Sequence, residues 1–266
     1  MFLRCLTATV FALAVQPSFA HEFWISPERY QIAPGETLTA AFRVGQEFKG
    51  PSFSYIERQS TRFDLVKGET ATSVTARTGD NPALETTLEK DGLWIIVHET
   101  SDNTLTYKEM AKFEAFAAHK AFPDTLKDHA ARGLPHAGFK ESYRRFAKAL
   151  IGVGNSAGQD RVIGLRTEIV ALANPYTDDL TNGLPVQVLF ESAPRANAQV
   201  ELFAKAPDGT VTITLHTTDA NGQITLPMQP DTEYLADSVK MIAIEPETAT
   251  GPVWKSLWAA LTFKTP

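Results

Sequence analysis

Apolar positions along this chain fall into short runs separated by turn residues. Phe23-Trp24-Ile25 opens the series, Pro34-Gly35 marks a turn, and Thr37-Leu38-Thr39-Ala40-Ala41-Phe42-Arg43-Val44 reads as a strand. Gly50-Pro51 ends the next loop, Arg62-Phe63-Asp64-Leu65-Val66 follows, and Asp91-Gly92 leads into Leu93-Trp94-Ile95-Ile96-Val97. β-Branched and aromatic runs punctuated in this way predict a β-sandwich over residues 21–106.

The period then changes. Thr106 and Glu109 have the spacing of a capping box, in which a hydroxyl and a carboxylate satisfy backbone N–H groups at a helix start. Met110, Phe113, Phe116 and Ala117 follow at helical spacing, and Phe139, Tyr143, Phe146, Ala147 and Leu150 predict a second helical face. These define a helical insertion over 107–151, its aromatic stripes laid on a sheet. The Gly- and Ser-containing stretch 152–162 reads as a linker. Strand-like runs return at 163–172, 185–190, 198–203, 211–215, 224–226, 239–244 and 258–263. About seven strands in roughly a hundred residues predict a second sandwich over 163–266, immunoglobulin- or transthyretin-like. The expected fold is mainly β: two sandwiches with a helical insertion between them.

Residues 1–20 carry a different pattern. Arg4 supplies a positive start, residues 5–15 are apolar, and Ser18-Phe19-Ala20 places small residues where a signal peptidase reads. The apolar run is too short for a hydrocarbon core of about 30 Å. The expectation is a signal peptide, export to the periplasm, and a mature chain that starts at His21 and has no membrane span. Cys5 is the one cysteine and leaves with that segment, so the mature chain must stand on its apolar core without disulfides. Removing Arg4 turns 25 basic against 31 acidic residues into 24 against 31, a formal balance of −7. Phosphate neutralisation needs clustered Lys and Arg, which argues against a nucleic-acid partner.

Two motifs dissolve on inspection. Gly154-Asn155-Ser156-Ala157-Gly158 matches G-x-S-x-G, but a nucleophile elbow needs a strand before the serine and a helix after it. Here a helix is expected before it and a polar loop after it. Asp219-Ala220-Asn221-Gly222 echoes a calcium loop, yet a strand follows at once, so Asn221-Gly222 reads as a hairpin turn. With no thiol, zinc-protease motif or nucleotide loop in the mature chain, nothing points to an enzyme.

The most specific feature is positional. If cleavage follows Ala20, His21 offers an α-amino nitrogen and an imidazole that can close one chelate ring on a metal ion. Reference pKa values of about 7.7–8.0 for the amine and 6.5 for histidine make their protons cheap to lose near neutral pH. Such nitrogen donors suit nickel, cobalt, copper or zinc. His98, ending a strand, is the best-placed second ligand. His119, His129, His136 and His216 lack tight metal spacing, while Glu22 and Glu99 are candidate oxygen donors.

The chain also resembles a family of bacterial envelope proteins of unknown function, described as the periplasmic component of an ABC-type cobalt/nickel transport system. The similarity lies in His21-Glu22-Phe23-Trp24-Ile25, in Arg43-Val44-Gly45-Gln46-Glu47-Phe48-Lys49-Gly50 and in Tyr143-Arg144-Arg145-Phe146-Ala147-Lys148-Ala149-Leu150. It continues in Asn174-Pro175-Tyr176 and in Trp254-Lys255-Ser256-Leu257-Trp258-Ala259-Ala260-Leu261-Thr262-Phe263. The resemblance implies a periplasmic location and a role with divalent transition metals. One departure is Lys240, where relatives often carry histidine; a protonated lysine is a poor ligand. The leading expectation is an accessory protein that binds nickel or cobalt at His21 and His98 and serves a membrane transporter. The alternatives are a metal-free envelope module that recognises a protein or glycan, and, ranked last, a copper oxidase.

Overall fold

A computed structural model describes residues 21–266; the signal-peptide reading of residues 1–20 lies outside the described residues. The first half contains β1 (Glu22–Pro27), β2 (Gln31–Ile32), β3 (Thr37–Gly45), β4 (Ser52–Phe53), β5 (Ser60–Lys67), β6 (Thr70–Ser73), β7 (Leu84–Thr87), β8 (Gly92–Thr100) and β9 (Asn103–Tyr107). Two helices follow, α1 (Met110–His119) and α2 (Thr125–Ala131). The remainder is β10 (Phe139–Val153), β11 (Thr167–Ala171), β12 (Leu184–Phe190), β13 (Ala193–Pro194), β14 (Gln199–Lys205), β15 (Val211–Thr217), β16 (Gln223–Leu226), β17 (Glu233–Ala243) and β18 (Pro252–Lys264). The protein is mainly β, built from packed sheets with a small helical insertion, as its apolar pattern predicts.

Among the described residues a ten-stranded sheet runs β15-β14-β17-β18-β10-β8-β5-β6, with β2 and β9 also pairing β10. Strands from both halves of the chain therefore share one sheet. Its two faces follow from residue parity, because successive strand side chains point to opposite sides. On one face Ile96, Ala147, Ala149, Ile151, Leu235 and Ala260 meet Trp24, Ile25, Leu38 and Phe42 from the sheet of β1, β3, β4 and β7. On the opposite face Ile95, Val97, Phe146, Leu150, Leu257 and Leu261 meet Ile169, Val186 and Val188 from the sheet of β11, β12, β13 and β16. The helices cover the first face beside the N-terminal sheet, packing Phe113 and Phe116 on Tyr107, Phe139, Trp254 and Trp258.

Residues 139–153, whose spacing predicts a helix through 150, form the strand β10 instead. It pairs parallel with β18 and antiparallel with β8 and β9. From Phe146 to Val153 every residue is buried, since the strand feeds both cores. A strand buried on both faces loses its apolar–polar alternation, and the spacing of Phe139, Tyr143, Phe146 and Leu150 then imitates a helix. The expected capping box is also absent. Thr106 belongs to β9, and Glu109 caps α1 in an extended conformation without a side-chain hydrogen bond.

A strand, not a helix, precedes the G-x-S-x-G stretch, but a loop follows it and Ser156 is buried, so no exposed nucleophile results. Asn221-Gly222 does turn, with Asp219 Oδ1 accepting from the Asn221 and Gln223 backbone N–H groups. The turn is not a hairpin, because it joins β15 to β16, which pair with β14 and β12 in different sheets.

Two buried polar clusters tie these layers together. Lys148 of β10 donates to Asp160 at 2.9 Å and to Glu168 at 3.0 Å. Glu141 accepts from the Tyr107 hydroxyl at 2.6 Å and from the Ser256 hydroxyl. Burial pushes the Glu141 carboxyl up to about 7 against those hydrogen bonds.

Replacing Lys148→Ala strands two buried carboxylates and is expected to cost about 3–5 kcal/mol in urea unfolding. The raised Glu141 gives a pH signature. Its favourable contribution is complete below the unfolded carboxyl pKa of about 4.3 and is lost as pH rises through about 7, because the folded state holds the proton longer. Stability should therefore fall between about pH 4 and about pH 7. Glu141→Gln should remove a share of that fall on the order of 3 kcal/mol, read as a flatter dependence of the urea midpoint on pH.

Candidate functional site

The N-terminal sheet and the helices lie side by side on one face of the large sheet, and their seam holds the charged groups. Lys120, just past α1, is buried and donates to Glu22 of β1 at 3.3 Å, to Asp237 of β17 at 3.1 Å and to Glu201 of β14. Its ammonium also lies 5.0 Å from the Trp258 ring centroid. Burial alone would lower the Lys120 pKa, but the carboxylates of Asp237, Glu22 and Glu201 hold it above its ordinary value. Burial raises Glu22 to about 7 despite the lysine. His119 adds a contact to Glu201 at 3.0 Å. Three carboxylates around one ammonium close this part of the seam.

A second opening lies between the N-terminal sheet and strands β8 and β10, and no helix residue lines it. A cleft of about 700 Å³ is lined by His21, Phe23, Phe42, Phe53, His98, Tyr143 and Arg145, among others. The sequence builds its floor through register. His98 pairs with Phe63 across β5 and β8 and points to the same face as Ile96. Its ring centroid lies 4.1 Å from that of Phe42 and 5.5 Å from those of Phe23 and Phe63. His98 is 3% exposed, and burial pushes its pKa down to about 3, so the imidazole is neutral. Its Nδ1 is buried and has no hydrogen-bond partner.

Arg145 forms the other wall. Its guanidinium lies 4.8 Å from the Tyr143 ring centroid and donates to the His21 carbonyl at 3.1 Å, which tethers the start of β1. The Nε of Arg145 is likewise buried without a partner. Among the described residues these two nitrogens are the buried side-chain polar atoms left unpaired, and both residues line the same cleft. Buried polar groups are normally satisfied, so each calls for a partner. Burial lowers the Arg145 pKa, while Tyr143, Asp237 and Glu22 oppose that shift.

His21 and His98, predicted together from sequence, do line one cleft, with His21 exposed at its rim. Most of the other candidates are engaged elsewhere, and His136 is exposed in the loop after α2. Glu22 is turned into the Lys120 cluster, and Glu99 lies 3.2 Å from Arg144. His129 uses both ring nitrogens, Nδ1 accepting from Trp254 Nε1 and Nε2 meeting the Pro135 carbonyl, each at 3.1 Å. His216 contacts Thr214 on its own strand. Among the described residues no group of three or more His, Cys, Asp or Glu side chains converges as a metal cage. A cation held here would take the nitrogens of His21 and the orphaned Nδ1 of His98, and the neutral imidazole fits that role. Sequence reasoning passed over Arg145 and Lys120, because neither carries a motif and both are placed by pairing across distant strands.

Among the described residues no helix is long and apolar enough to cross a membrane. No curated protein matches the chain. Among solved structures, the D0-D1 domain of intimin is similar at 13% identity and a TM-score of 0.23, covering 92% of this chain and 98% of that one. Trypsin-activated alpha-2-macroglobulin from Escherichia coli is similar at 14% identity and a TM-score of 0.25, covering 94% of this chain and 16% of that one. Scores at this level carry no argument about fold or function. A family model described as a domain of unknown function (DUF4198) matches residues 18–240. The chain with this cleft belongs to that family of domains of unknown function.

Proposed function

We propose that this is an exported envelope protein that binds one divalent transition metal ion, nickel or cobalt, in the cleft between β1 and β8. Cleavage after Ala20 would free the His21 amine, and that amine, the His21 imidazole and His98 Nδ1 would hold the ion. The carrying observation is the buried, unpartnered Nδ1 of His98 in a cleft rimmed by His21. Residues 77 positions apart are brought to one cleft by the placing of β1 and β8 on a common core.

The setting supports reversible capture. Phe23, Phe42 and Phe63 fix the His98 ring, in the way that outer contacts orient metal-binding histidines. Among the described residues the side-chain hydrogen bond that reaches His21 goes to its backbone carbonyl, so the chelating side chain can adjust as the ion enters or leaves. Delivery to a membrane transporter fits an exported carrier whose ligand sits at an open rim.

Isothermal titration calorimetry tests the reading. Protein beginning at His21 should bind nickel at one site with a Kd of about 1 μM or tighter, some −8 kcal/mol. One extra N-terminal residue should weaken binding by about 100-fold, since it removes the chelate ring, and His98→Phe by about 10-fold. Phenylalanine suits the aromatic surroundings of position 98, so the fold should survive. Equal affinities in all three proteins would sink the proposal and favour a metal-free binding module.

A further inference from the structure

In the tautomer that the metal reading requires, with Nε2 protonated, the two orphaned nitrogens of the cleft demand opposite chemistry. His98 Nδ1 then gives a lone pair to a cation. The Nε–H of Arg145 can only donate, and a guanidinium repels a bare metal ion. One ion cannot satisfy both.

Charge sharpens the point. Arg145 is the one acidic or basic side chain, histidines aside, among the residues lining the cleft. The carboxylates whose charge acts on Arg145, Asp237 and Glu22, are already committed to Lys120. Glu99, the other candidate donor, faces Arg144. A divalent ion beside Arg145 would thus have no anionic protein ligand. Three nitrogens also leave at least one coordination position open on an ion that takes about four to six donors. The cleft is far larger than an ion: its volume of about 700 Å³ lies in the range of small-molecule sites, about 300–1,000 Å³.

We propose that the cleft takes the metal as a complex with a small organic carboxylate, whose free oxygens pair with Arg145 while the ion meets His21 and His98. This rests on the metal reading above and adds the identity of the cargo. Phe53, 47% exposed at the rim, and Tyr143 supply apolar surface for the carbon skeleton of the ligand. Arg145 then has two tasks: its tie to the His21 carbonyl positions the chelating end, and its unpaired Nε–H reads the anion.

Equilibrium dialysis of protein beginning at His21 with radiolabelled citrate tests this. Citrate should be retained at one per chain when an equimolar amount of nickel is present, and at least 10-fold less without nickel. Nickel supplied with diethylenetriamine, a chelator without a carboxylate, should leave that chelator unretained. Arg145→Met should reduce citrate retention at least 10-fold, and by a larger factor than it weakens nickel binding without citrate, which loses only the tie to the His21 carbonyl. The diethylenetriamine arm needs no variant, so it decides the matter even if Arg145→Met misfolds. Nickel binding with no citrate retention would overturn this inference and leave the metal reading standing. Citrate retention independent of nickel would also overturn it, because the cargo would then be the carboxylate alone. Absence of nickel binding in every arm would bring down both readings.

Discussion

The paired central strands β10 and β18 are the constraint on which the molecule depends. From Phe146 onward β10 has no solvent face, and β18 is buried along most of its length. Both feed two cores at once, so each side chain is dictated from above, below and alongside. The small residues Ala147, Ala149, Ala259 and Ala260 let the flanking sheets approach. A polar residue survives in such a strand only if its partners are supplied. Lys148 does so between Asp160 and Glu168, and Glu141 between Tyr107 and Ser256.

The same face that carries the N-terminal core carries the candidate site, and two unlike covers, a sheet and a helical pair, share that face. A sheet and a helical pair cannot interdigitate as two sheets do, and their seam is where polar groups collect. Over β14, β17 and β18 the seam is sealed by Lys120 and its three carboxylates. That cluster draws Glu22 away from His21. Between the N-terminal sheet and strands β8 and β10 the layers part as a cleft with aromatic walls, a histidine and an arginine. Commitment of the acidic groups to the seam is what leaves the cleft with an excess of donors.

This division of charge also separates stability from recognition. The Lys120 and Lys148 clusters are closed sets in which every member has a partner, and they act as fasteners between layers. The cleft is an open set. His98 is locked by rings rather than hydrogen bonds, and Arg145 spends one donor on the backbone of β1. A side chain held rigidly by packing, with a polar atom left unmet, is the feature on which the proposed binding role rests.

Much of the strand inventory was legible in the sequence, because half-buried strands keep the two-residue alternation and turn residues mark their ends. β3, β8, β12 and β14 lie where their apolar runs predict, and so does the helix bearing Phe113 and Phe116. The sequence also singled out His21 and His98. What it could not disclose is β10, whose burial on both faces erases the alternation and leaves a helix-like spacing. Nor could it disclose that strands from the two halves join one sheet, since pairing between β10 and β18 is set by contacts over a hundred residues apart. The site follows the same rule. Residue types can be read locally, but the sharing of one cleft by His21, His98 and Arg145 is decided by register and parity across three strands, and only the tertiary structure sets those.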